Sequence, residues 1–334
     1  MKIAFHPNKN SFFQYWISYC DSQGIEYKLV NAYDSDIVSQ LSDCDVFMWH
    51  IKHVNPKDIL FAKQLMYSLE QSGLKVYPDS KTIWSFDDKL GQKYLLEALN
   101  LPTIPSFAFY SKAEALNWAA NYKFPAVFKL RGGAGSYNVK LVSSFNDAKK
   151  LIRKSFGTGF RQFDPIIDIK ENLSFFFKGK TAFKQVLKAF GHIIIPYQIE
   201  NARGREKGYI YFQKFIPDCD CDIRVQVVGD KCYAMKRIVR KNDFRASGSG
   251  VIDFDGSKIS KELIKLSFEI TEKLGMQSLA IDWLQYRETN YIAEISYAWG
   301  IADGELEPGF WDNNLVWHSK RVDLGEWLVE LMIK

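Results

Sequence analysis

Residues 125–142, PAVFKLRGGAGSYNVKLV, place a glycine-rich loop between two predicted strands. The first strand ends at Lys129 and the second begins near Asn138. Glycines let backbone N–H groups approach an anion closely, and a serine hydroxyl adds a donor; the loop contains Gly132, Gly133, Gly135 and Ser136. Because the loop joins two strands, it lacks the strand-to-helix context of a Rossmann or Walker loop. Such a loop is more often a plain hairpin than a phosphate site, but the positive charge of Lys129 favours the phosphate site.

A second stretch, residues 278–297, predicts a core hairpin that carries two acids. Asp282 and Glu294 are symmetric about residue 288, which lies in the turn candidate RETN. A hairpin that turns there places the two carboxylates opposite each other, with Cβ atoms roughly 5 Å apart, and Ser296 points to the same face. Facing like charges destabilise a strand pair, so the arrangement favours either a divalent cation or an ion pair for each acid.

The stretch from Tyr211 to Ile238 predicts two strands joined by a short linker. The first strand ends at Gln213–Ile216, and Asp222 with Arg224 opens the second. A linker that exposes backbone donors and acceptors beside an apolar slot is able to hold an adenine ring, and the following acid is able to hold ribose hydroxyls. Taken alone, the stretch is more typical of an ordinary pair of strands.

The first 80 residues alternate predicted strands with predicted helices, which indicates a parallel sheet with helices on both faces. The strands are predicted at 2–6, 27–31, 45–49 and 74–77, and the helices at 12–22, 36–41 and 56–71. Next, Asp87 is predicted to cap a helix that runs through Ala98, where prolines follow. His6, His50 and His53 lie at or after strand ends and are candidates for contact with substrate, although a lone histidine is more often structural.

One helix is predicted within the segment 157–207, which otherwise gives no clear pattern. In FKGKTAFKQVLKAFG, residues 177–191, one face carries Lys180, Lys184 and Lys188, and another carries Phe183, Leu187 and Phe190. We expect a surface helix that is docked through its phenylalanines. The alternative is that its basic face, with Arg203 and Arg205 nearby, receives an anionic acceptor such as a uronic-acid-bearing sugar or a lipid-linked diphosphate or, as a weaker variant, an anionic membrane surface.

Composition limits the class of protein. The 334 residues suggest two or three domains, and 47% hydrophobic with 25% charged residues excludes a disordered chain. The net charge of +5 arises from bases interleaved with acids, so it fits a small anionic ligand and gives no basic stripe for nucleic acid. Five cysteines and the lack of a signal-peptide core predict free thiols in a cytoplasmic protein. No apolar run approaches the roughly 20 residues of a transmembrane helix.

Taken together, these stretches resemble the ATP-grasp superfamily, which includes D-alanine–D-alanine ligase, glutathione synthetase and the ligase that adds glutamate to a ribosomal protein. The resemblance covers about 80–300 and follows the order Lys89, Lys129, the glycine-rich loop, QKFI, DIR, Asp282 and Glu294. It implies a fold that is α/β and α+β: a Rossmann-like domain at 1–80, a first ATP-grasp lobe at 81–210 with an insertion at 157–207, and a second lobe at 211–334. FDDKLGQKYLLEA, FKLRGGAGSYNVKLV, NDFRASGSG and EISY also resemble a subgroup associated with bacterial surface-polysaccharide gene clusters.

The resemblance also implies a role for each matching residue. ATP would be held by Lys89, Lys129, Gly132, Gly133, Gly135, Ser136, Gln213, Lys214, Phe215 and Asp222. Phosphates or an acyl-phosphate intermediate would face Arg224, Arg237 and Arg245, and Mg²⁺ would be held by Asp282, Glu294 and Ser296. Two positions depart from the family pattern: Lys214 stands where an acid is common, and Ser296 stands where an asparagine is usual.

The function implied by the resemblance is an ATP- and Mg²⁺-dependent ligase that joins a carboxylate to an amine through an acyl phosphate. Its partners would be a small-molecule or saccharide acid and an amine, and the chain would form a homodimer as many members do. A kinase that phosphorylates a sugar or polyol hydroxyl is the first alternative. A nucleotide-binding regulator without chemistry is the second.

Overall fold

The computed structural model describes residues 1–133, 138–162, 169, 172–173, 176, 182–191, 200, 203–239 and 251–334. Its strands are β1 (Ile3–Phe5), β2 (Tyr27–Leu29), β3 (Val46–Met48), β4 (Lys75–Tyr77), β5 (Ser106–Phe109), β6 (Ala126–Lys129), β7 (Lys140–Val142), β8 (Ile210–Lys214), β9 (Cys221–Val228), β10 (Lys231–Ile238), β11 (Ile252–Asp253), β12 (Ser278–Tyr286), β13 (Thr289–Ser296), β14 (Phe310–Asp312) and β15 (Trp317–His318). Its helices are α1 (Phe13–Gln23), α2 (Ile37–Gln40), α3 (Pro56–Gln71), α4 (Ser80–Trp84), α5 (Lys89–Ala98), α6 (Lys112–Asn121), α7 (Phe145–Ser155), α8 (Phe183–Gly191), α9 (Lys261–Leu274) and α10 (Leu324–Ile333). Among these residues no helix is long and apolar enough to cross a membrane.

The N-terminal part forms the predicted parallel sheet, in the order β2-β1-β3-β4. Its longest helix, α3, spans the predicted residues because both a capping side chain and a proline specify where it starts. The Asn55 side chain accepts a hydrogen bond from Lys57 N, and Pro56 occupies the first helical position. Because the four strands are parallel, their carboxyl ends meet at one edge of the sheet, where His6 and His50 follow β1 and β3.

Two antiparallel sheets follow, one in each lobe of the predicted fold. The first lobe has the order β5-β8-β6-β7 and is covered by α6 and α7. The second lobe has the order β13-β12-β9-β10-β14-β15, with β11 paired to β10, and α9 packs against it. Helix α7 was not predicted, although Ser144 caps it by accepting a hydrogen bond from Asp147 N. The predicted domain boundaries stay predictions.

The helix before the first lobe begins one residue later than predicted. Asp88, and not Asp87, caps α5, because Asp88 Oδ1 accepts the hydrogen bond from Gly91 N at 2.9 Å. Asp87 instead adopts a left-handed backbone with φ of 53°. This conformation frees the Asp87 side chain for other contacts, which are described below.

The hairpin β12–β13 places the two predicted acids opposite each other by means of a bulge. Tyr286 pairs with Thr289, so the turn is centred half a residue before residue 288. The register then shifts next to Asp282, where Ala293 is the extra residue, and Asp282 faces Glu294. Without the bulge, Asp282 would face Ala293, and the two carboxylates would lie on opposite sides of the sheet.

The chain enters the antiparallel sheet β5-β8-β6-β7 through residues 102–105 and leaves it through residues 214–220, and these two crossings lie side by side. Ile292 in β13 accepts a hydrogen bond from Ile104 N at 3.2 Å and donates one to the Pro102 carbonyl at 2.7 Å. Lys214 N, at the exit, donates to the Pro105 carbonyl at 2.8 Å. Both connections are thereby fixed to each other and to the second lobe.

The largest apolar core joins the N-terminal sheet to the C-terminal helix α10. Helix α10 lies so close to α1 that a Cβ atom on Gly325 would be 2.2 Å from the Tyr15 carbonyl oxygen. At the far end of the contact, the Tyr19 hydroxyl donates to Glu330 Oε1 at 2.8 Å. The two ends of the chain are therefore parts of one packed unit.

Candidate active site

A cavity of roughly 520 Å³ lies between the two lobes and is closed on one side by the N-terminal part. Of the residues predicted for the site, those lining the cavity are Lys89, Lys129, Gly133, Gln213, Lys214, Phe215, Asp222, Arg224, Asp282, Glu294 and Ser296. Gly132 and Arg237 lie behind its wall, in contact with lining residues. Gly135, Ser136, Arg245 and Lys180 lie outside the described residues.

Two lysines line the cavity, and their pKa values are shifted in opposite directions. Lys89 Nζ lies 3.0 Å from Glu294 Oε1 and donates to the Gly133 carbonyl at 2.8 Å. Burial opposes the charge on Lys89, but Glu294 and Asp87 outweigh it and raise its pKa. Burial lowers the pKa of Lys129 to about 8, because Glu294 and Asp282 only partly offset the loss of water and the repulsion by Lys89.

Four charged side chains form a chain of ion pairs across three neighbouring strands. Arg237 binds Asp222 through two hydrogen bonds of 2.6 and 2.7 Å, and Arg224 binds Asp282 through two of 2.6 and 2.8 Å. A further contact of 2.8 Å joins Arg237 to Asp282. Burial opposes ionisation of Asp282, but Arg224 and Arg237 outweigh it and hold the pKa well below its usual range. Each of the two acids therefore forms an ion pair, which is one of the two alternatives that the sequence predicted. Asp282 pairs with Arg224 and Arg237, and Glu294 pairs with Lys89.

The chemistry of these donors also fits a hard divalent cation. Among the residues that the structure describes, Asp282 Oδ1 accepts one hydrogen bond, from Arg224 Nε, which leaves a second acceptor position on that oxygen. Glu294 lies directly opposite with its side chain 37% exposed to the cavity. No group of three or more His, Cys, Asp or Glu side chains in the described part of the chain is able to hold a metal, so phosphate or water oxygens would complete the shell. The Ser296 hydroxyl donates to the Ala298 carbonyl at 2.6 Å and keeps its oxygen as an acceptor.

The linker after β8 forms the other end of the cavity. Gln213 is held in the sheet by pairing with Ser106 and Val127, and Phe215 and Ile216 line the wall beside Ile104 and Leu284. Lys214 N is already bonded to Pro105, so its backbone donor belongs to the fold. The apolar side chains that line this end of the cavity suit a flat heteroaromatic ring.

The N-terminal part contributes residues that the motifs did not identify. His53 and Phe86 line the cavity, together with Trp299 from the loop after β13. His53 was one of three histidine candidates; the other two are bonded within the fold, since His6 Nδ1 accepts from Ala32 N and His50 Nδ1 from Phe12 N. Burial lowers the pKa of His53, so the ring is neutral near pH 7.

The loop that carries Trp299 is held by a buried acid that the sequence analysis missed. Glu305 accepts hydrogen bonds from Ala302 N at 2.8 Å, from Gln226 Nε2 at 3.0 Å and from the Tyr233 hydroxyl at 3.2 Å. The same tyrosine accepts from Trp299 Nε1 at 2.6 Å. An acid in a loop carries no recognisable motif, so only the three-dimensional contacts reveal this function.

A parallel N-terminal sheet followed by two antiparallel lobes around a cavity lined by lysines and carboxylates is the arrangement of the ATP-grasp fold. Residues 175–307 match the RimK-like ATP-grasp domain. The chain is 21% identical over 278 residues to the alpha-aminoadipate–LysW ligase LysX of Saccharolobus solfataricus. The aligned region spans 82% of this chain and 84% of that protein.

Solved structures agree on the fold. A RimK-domain ATP-grasp protein from Sphaerobacter thermophilus superposes with a TM-score of 0.60 at 14% identity, covering 100% of both chains. The D-alanine–D-alanine ligase of Bacillus anthracis complexed with ATP gives a TM-score of 0.58 at 13% identity, covering 100% of this chain and 95% of that one. The predicted fold is confirmed, and the domain matched by residues 175–307 is an ATP-grasp domain, as predicted.

Proposed function

We propose that this protein uses ATP and Mg²⁺ to activate a substrate carboxylate and join it to an amine. The observation that carries the proposal is the array of charges in one cavity: Lys89 and Lys129 face the cross-strand carboxylates Asp282 and Glu294. Lysines suit the oxygens of a triphosphate, and paired carboxylates suit the metal that accompanies it. The similarity to LysX and to D-alanine–D-alanine ligase supports the same reaction class.

The reaction proceeds in two substitutions. A carboxylate oxygen forms a bond to the γ-phosphorus of ATP while the bond from that phosphorus to the bridging oxygen breaks and ADP leaves. The amine nitrogen then forms a bond to the acyl carbon, the bond from carbon to the phosphate oxygen breaks, and the nitrogen releases its proton to water. Phosphorylation is needed because a free carboxylate would have to expel oxide.

The side chains act mainly by holding charge in position. Asp282, Glu294 and the Ser296 oxygen would hold Mg²⁺, which neutralises phosphate charge when bound. Lys129 and Lys89 would contact the oxygens of the transferred phosphoryl group. Arg224, which lines the cavity, would stabilise the acyl phosphate, and Arg237, behind the wall, would support it by holding Asp222 and Asp282 in place. Arg245 is proposed to face the acyl phosphate from the resemblance alone.

The proposed nucleotide site continues along the cavity. Phe215 would offer backbone contacts to adenine, whereas the backbone of Gln213 is paired within the sheet, so that Gln213 would contribute its side chain. Asp222 would bind ribose once its hydrogen bonds with Arg237 rearrange or are shared. The link to surface-polysaccharide modification is supported only by the resemblance of the four stretches given above. Uronic acids therefore belong in the substrate panel beside amino acids.

Trapping with hydroxylamine tests the reaction. With the correct acid and MgATP, hydroxylamine in place of the amine is expected to give a hydroxamate and an equal amount of ADP, measured over a panel of glutamate, α-aminoadipate, D-alanine and uronic acids. Glu294→Gln, which keeps the side-chain shape and removes the charge, is the matched variant and is expected to give neither product. A stable phosphate ester on a hydroxyl would identify a kinase, and binding of ATP without any release of ADP over the panel would identify a regulator.

A further inference from the structure

In the glycine-rich loop, the backbone N–H of Gly133 is bonded to the carboxylate of Asp87 and is not directed into the open cavity. The Gly133 N–H donates to Asp87 Oδ1 at 2.7 Å. The other oxygen of the same carboxylate, Asp87 Oδ2, accepts from Arg203 Nη1 at 2.7 Å. The Asp87 side chain is only 5% exposed, so this charge is held by its two partners and not by water.

Gly132 is a glycine for reasons of space. A Cβ atom at this position would lie 2.7 Å from Arg203 Nη1 and 3.2 Å from Asp87 Oδ2. Its backbone lies outside the left-handed region, so an alanine would meet no conformational penalty. An added methyl group would instead push the Arg203 guanidinium away from Asp87. The obstacle to a side chain at residue 132 is thus the Asp87–Arg203 ion pair.

The same few residues also fix Lys89, the lysine of α5 that is proposed to bind phosphate. Lys89 N donates to the Arg131 carbonyl at 2.8 Å, and Lys89 Nζ donates to the Gly133 carbonyl at 2.8 Å. Arg131 Nη2 in turn binds Asp88 Oδ2 at 2.6 Å. Any displacement of residues 131–133 therefore moves Lys89 relative to Glu294 and to the cavity.

We propose that Asp87 and Arg203 form a positioning clamp that holds residues 132–133, and through them Lys89, in the geometry that binds ATP. In this clamp, Gly132 admits the Arg203 side chain and has no contact with phosphate. The inference rests on the proposed ATP site. It assigns a function to two residues, Asp87 and Arg203, that belong to no motif read as phosphate-binding.

A double-mutant cycle tests the clamp. Gly132→Ala is expected to raise the ATP Kd about tenfold, measured by calorimetry, because Arg203 must leave Asp87. Arg203→Ala is expected to weaken ATP binding similarly, and the double variant to be no worse than Arg203→Ala alone, because the methyl group then has room. An equal loss from Gly132→Ala in both backgrounds would show that the glycine serves phosphate approach, and would overturn the clamp.

Two further measurements separate a positioning function from general destabilisation. Arg205→Ala is the matched control: it lies on the same segment, contacts the Gly159 carbonyl and not Asp87, and is expected to leave the ATP Kd unchanged. Asp87→Asn, which still accepts from Gly133 N–H, is expected to raise the ATP KM more than it lowers kcat, and less than Asp87→Ala does. Equal effects of Asp87→Asn and Arg205→Ala would contradict the proposal.

The wild-type titration distinguishes the two levels of inference. If the unmodified protein fails to bind ATP, the proposed function fails and the positioning function falls with it. If it binds ATP and the cycle is additive, only the clamp fails.

Discussion

At the scale of single residues, the most informative group is Lys129, whose pKa burial lowers to about 8. ATP binds best to the protonated amine, so we expect the ATP affinity to be constant below pH 7.5 and to fall as the pH rises through 8. The loss should approach tenfold per pH unit, and binding at pH 8.5 should take up a proton, because the bound phosphate favours the charged form.

Calorimetry in buffers of different ionisation enthalpy measures that proton uptake directly. Lys129→Arg, which stays charged throughout this range, is the control and is expected to bind ATP with little dependence on pH. A flat wild-type affinity between pH 7 and 9.5 would contradict the assignment of Lys129 to the phosphates.

The sequence predicted which side chains line the cavity better than it predicted how they pair. Asp222 lies opposite Arg237 in the register of β9 and β10, and Asp282 lies opposite Arg224 in that of β12 and β9. Those pairs follow at once from the strand order, but β12 is about 50 residues from β9 along the chain. No local pattern specifies the contact of Asp282 with Arg224, so Arg224 was predicted to face phosphate. The contact of Asp222 with Arg237 joins adjacent strands, 15 residues apart, and the prediction missed it because the register of that hairpin was not counted.

At the scale of elements, the periodicity of α8 predicted that this helix docks through its phenylalanines, and that prediction is wrong. Phe183, Leu187 and Phe190 are 55%, 56% and 48% exposed, whereas the helix is buried through Val186 and Ala189. The helix docks on a strip that lies beside the phenylalanine face and opposite the lysine face, where the smaller side chains of Val186 and Ala189 allow close approach. Lys184 and Lys188 remain exposed beside the apolar residues, so a basic and apolar surface is available to an acceptor.

Charge reversal on α8 tests whether this surface receives an anionic acceptor. Lys184→Glu combined with Lys188→Glu is expected to raise the acceptor KM about tenfold and to leave the ATP KM unchanged, as measured by steady-state kinetics. The same reversal at the exposed residues Lys150 and Arg153 on α7 is the control for net charge. An acceptor KM that responds equally to both pairs, or to neither, would leave α8 with a structural function only.

Elements with strong local signals were predicted to within one or two residues. Helix α3, with Asn55 before Pro56, matches the prediction in both bounds. The facing of Asp282 and Glu294 was predicted by counting from residue 288, yet it depends on the bulge at Ala293. The spacing of Ile292 and Ile295, three residues apart and both in the core, is the one trace of that bulge in the sequence.

At the scale of the whole molecule, the contact of α10 with α1 holds the N-terminal sheet against the second lobe. Gly325→Ala is expected to destabilise the protein by about 1–3 kcal/mol, because its Cβ atom would meet the Tyr15 carbonyl oxygen at 2.2 Å. Denaturant unfolding measures the change. Gly191→Ala is the control, since that helical position has open space around it and is expected to be neutral or slightly stabilising.

An unchanged free energy of unfolding for Gly325→Ala would mean that the two helices separate easily. In that case the N-terminal part would not depend on the C-terminal helix for its core, and the shared packing of residues such as Trp16 and Leu328 would contribute little to stability.

The neighbouring crossings at residues 102–105 and 214–220 have a mechanical consequence. Because the first lobe is joined to the rest of the chain at these two adjacent crossings, the line through them forms a hinge axis. Rotation of the lobe about this axis is easy, whereas twisting or sliding of the lobe is stiff. Opening of the cleft is then a single degree of freedom, and each half-open state is one angle on the same arc. Distances between labels on the two lobes, whichever positions are chosen, should therefore move together along one curve as nucleotide is added.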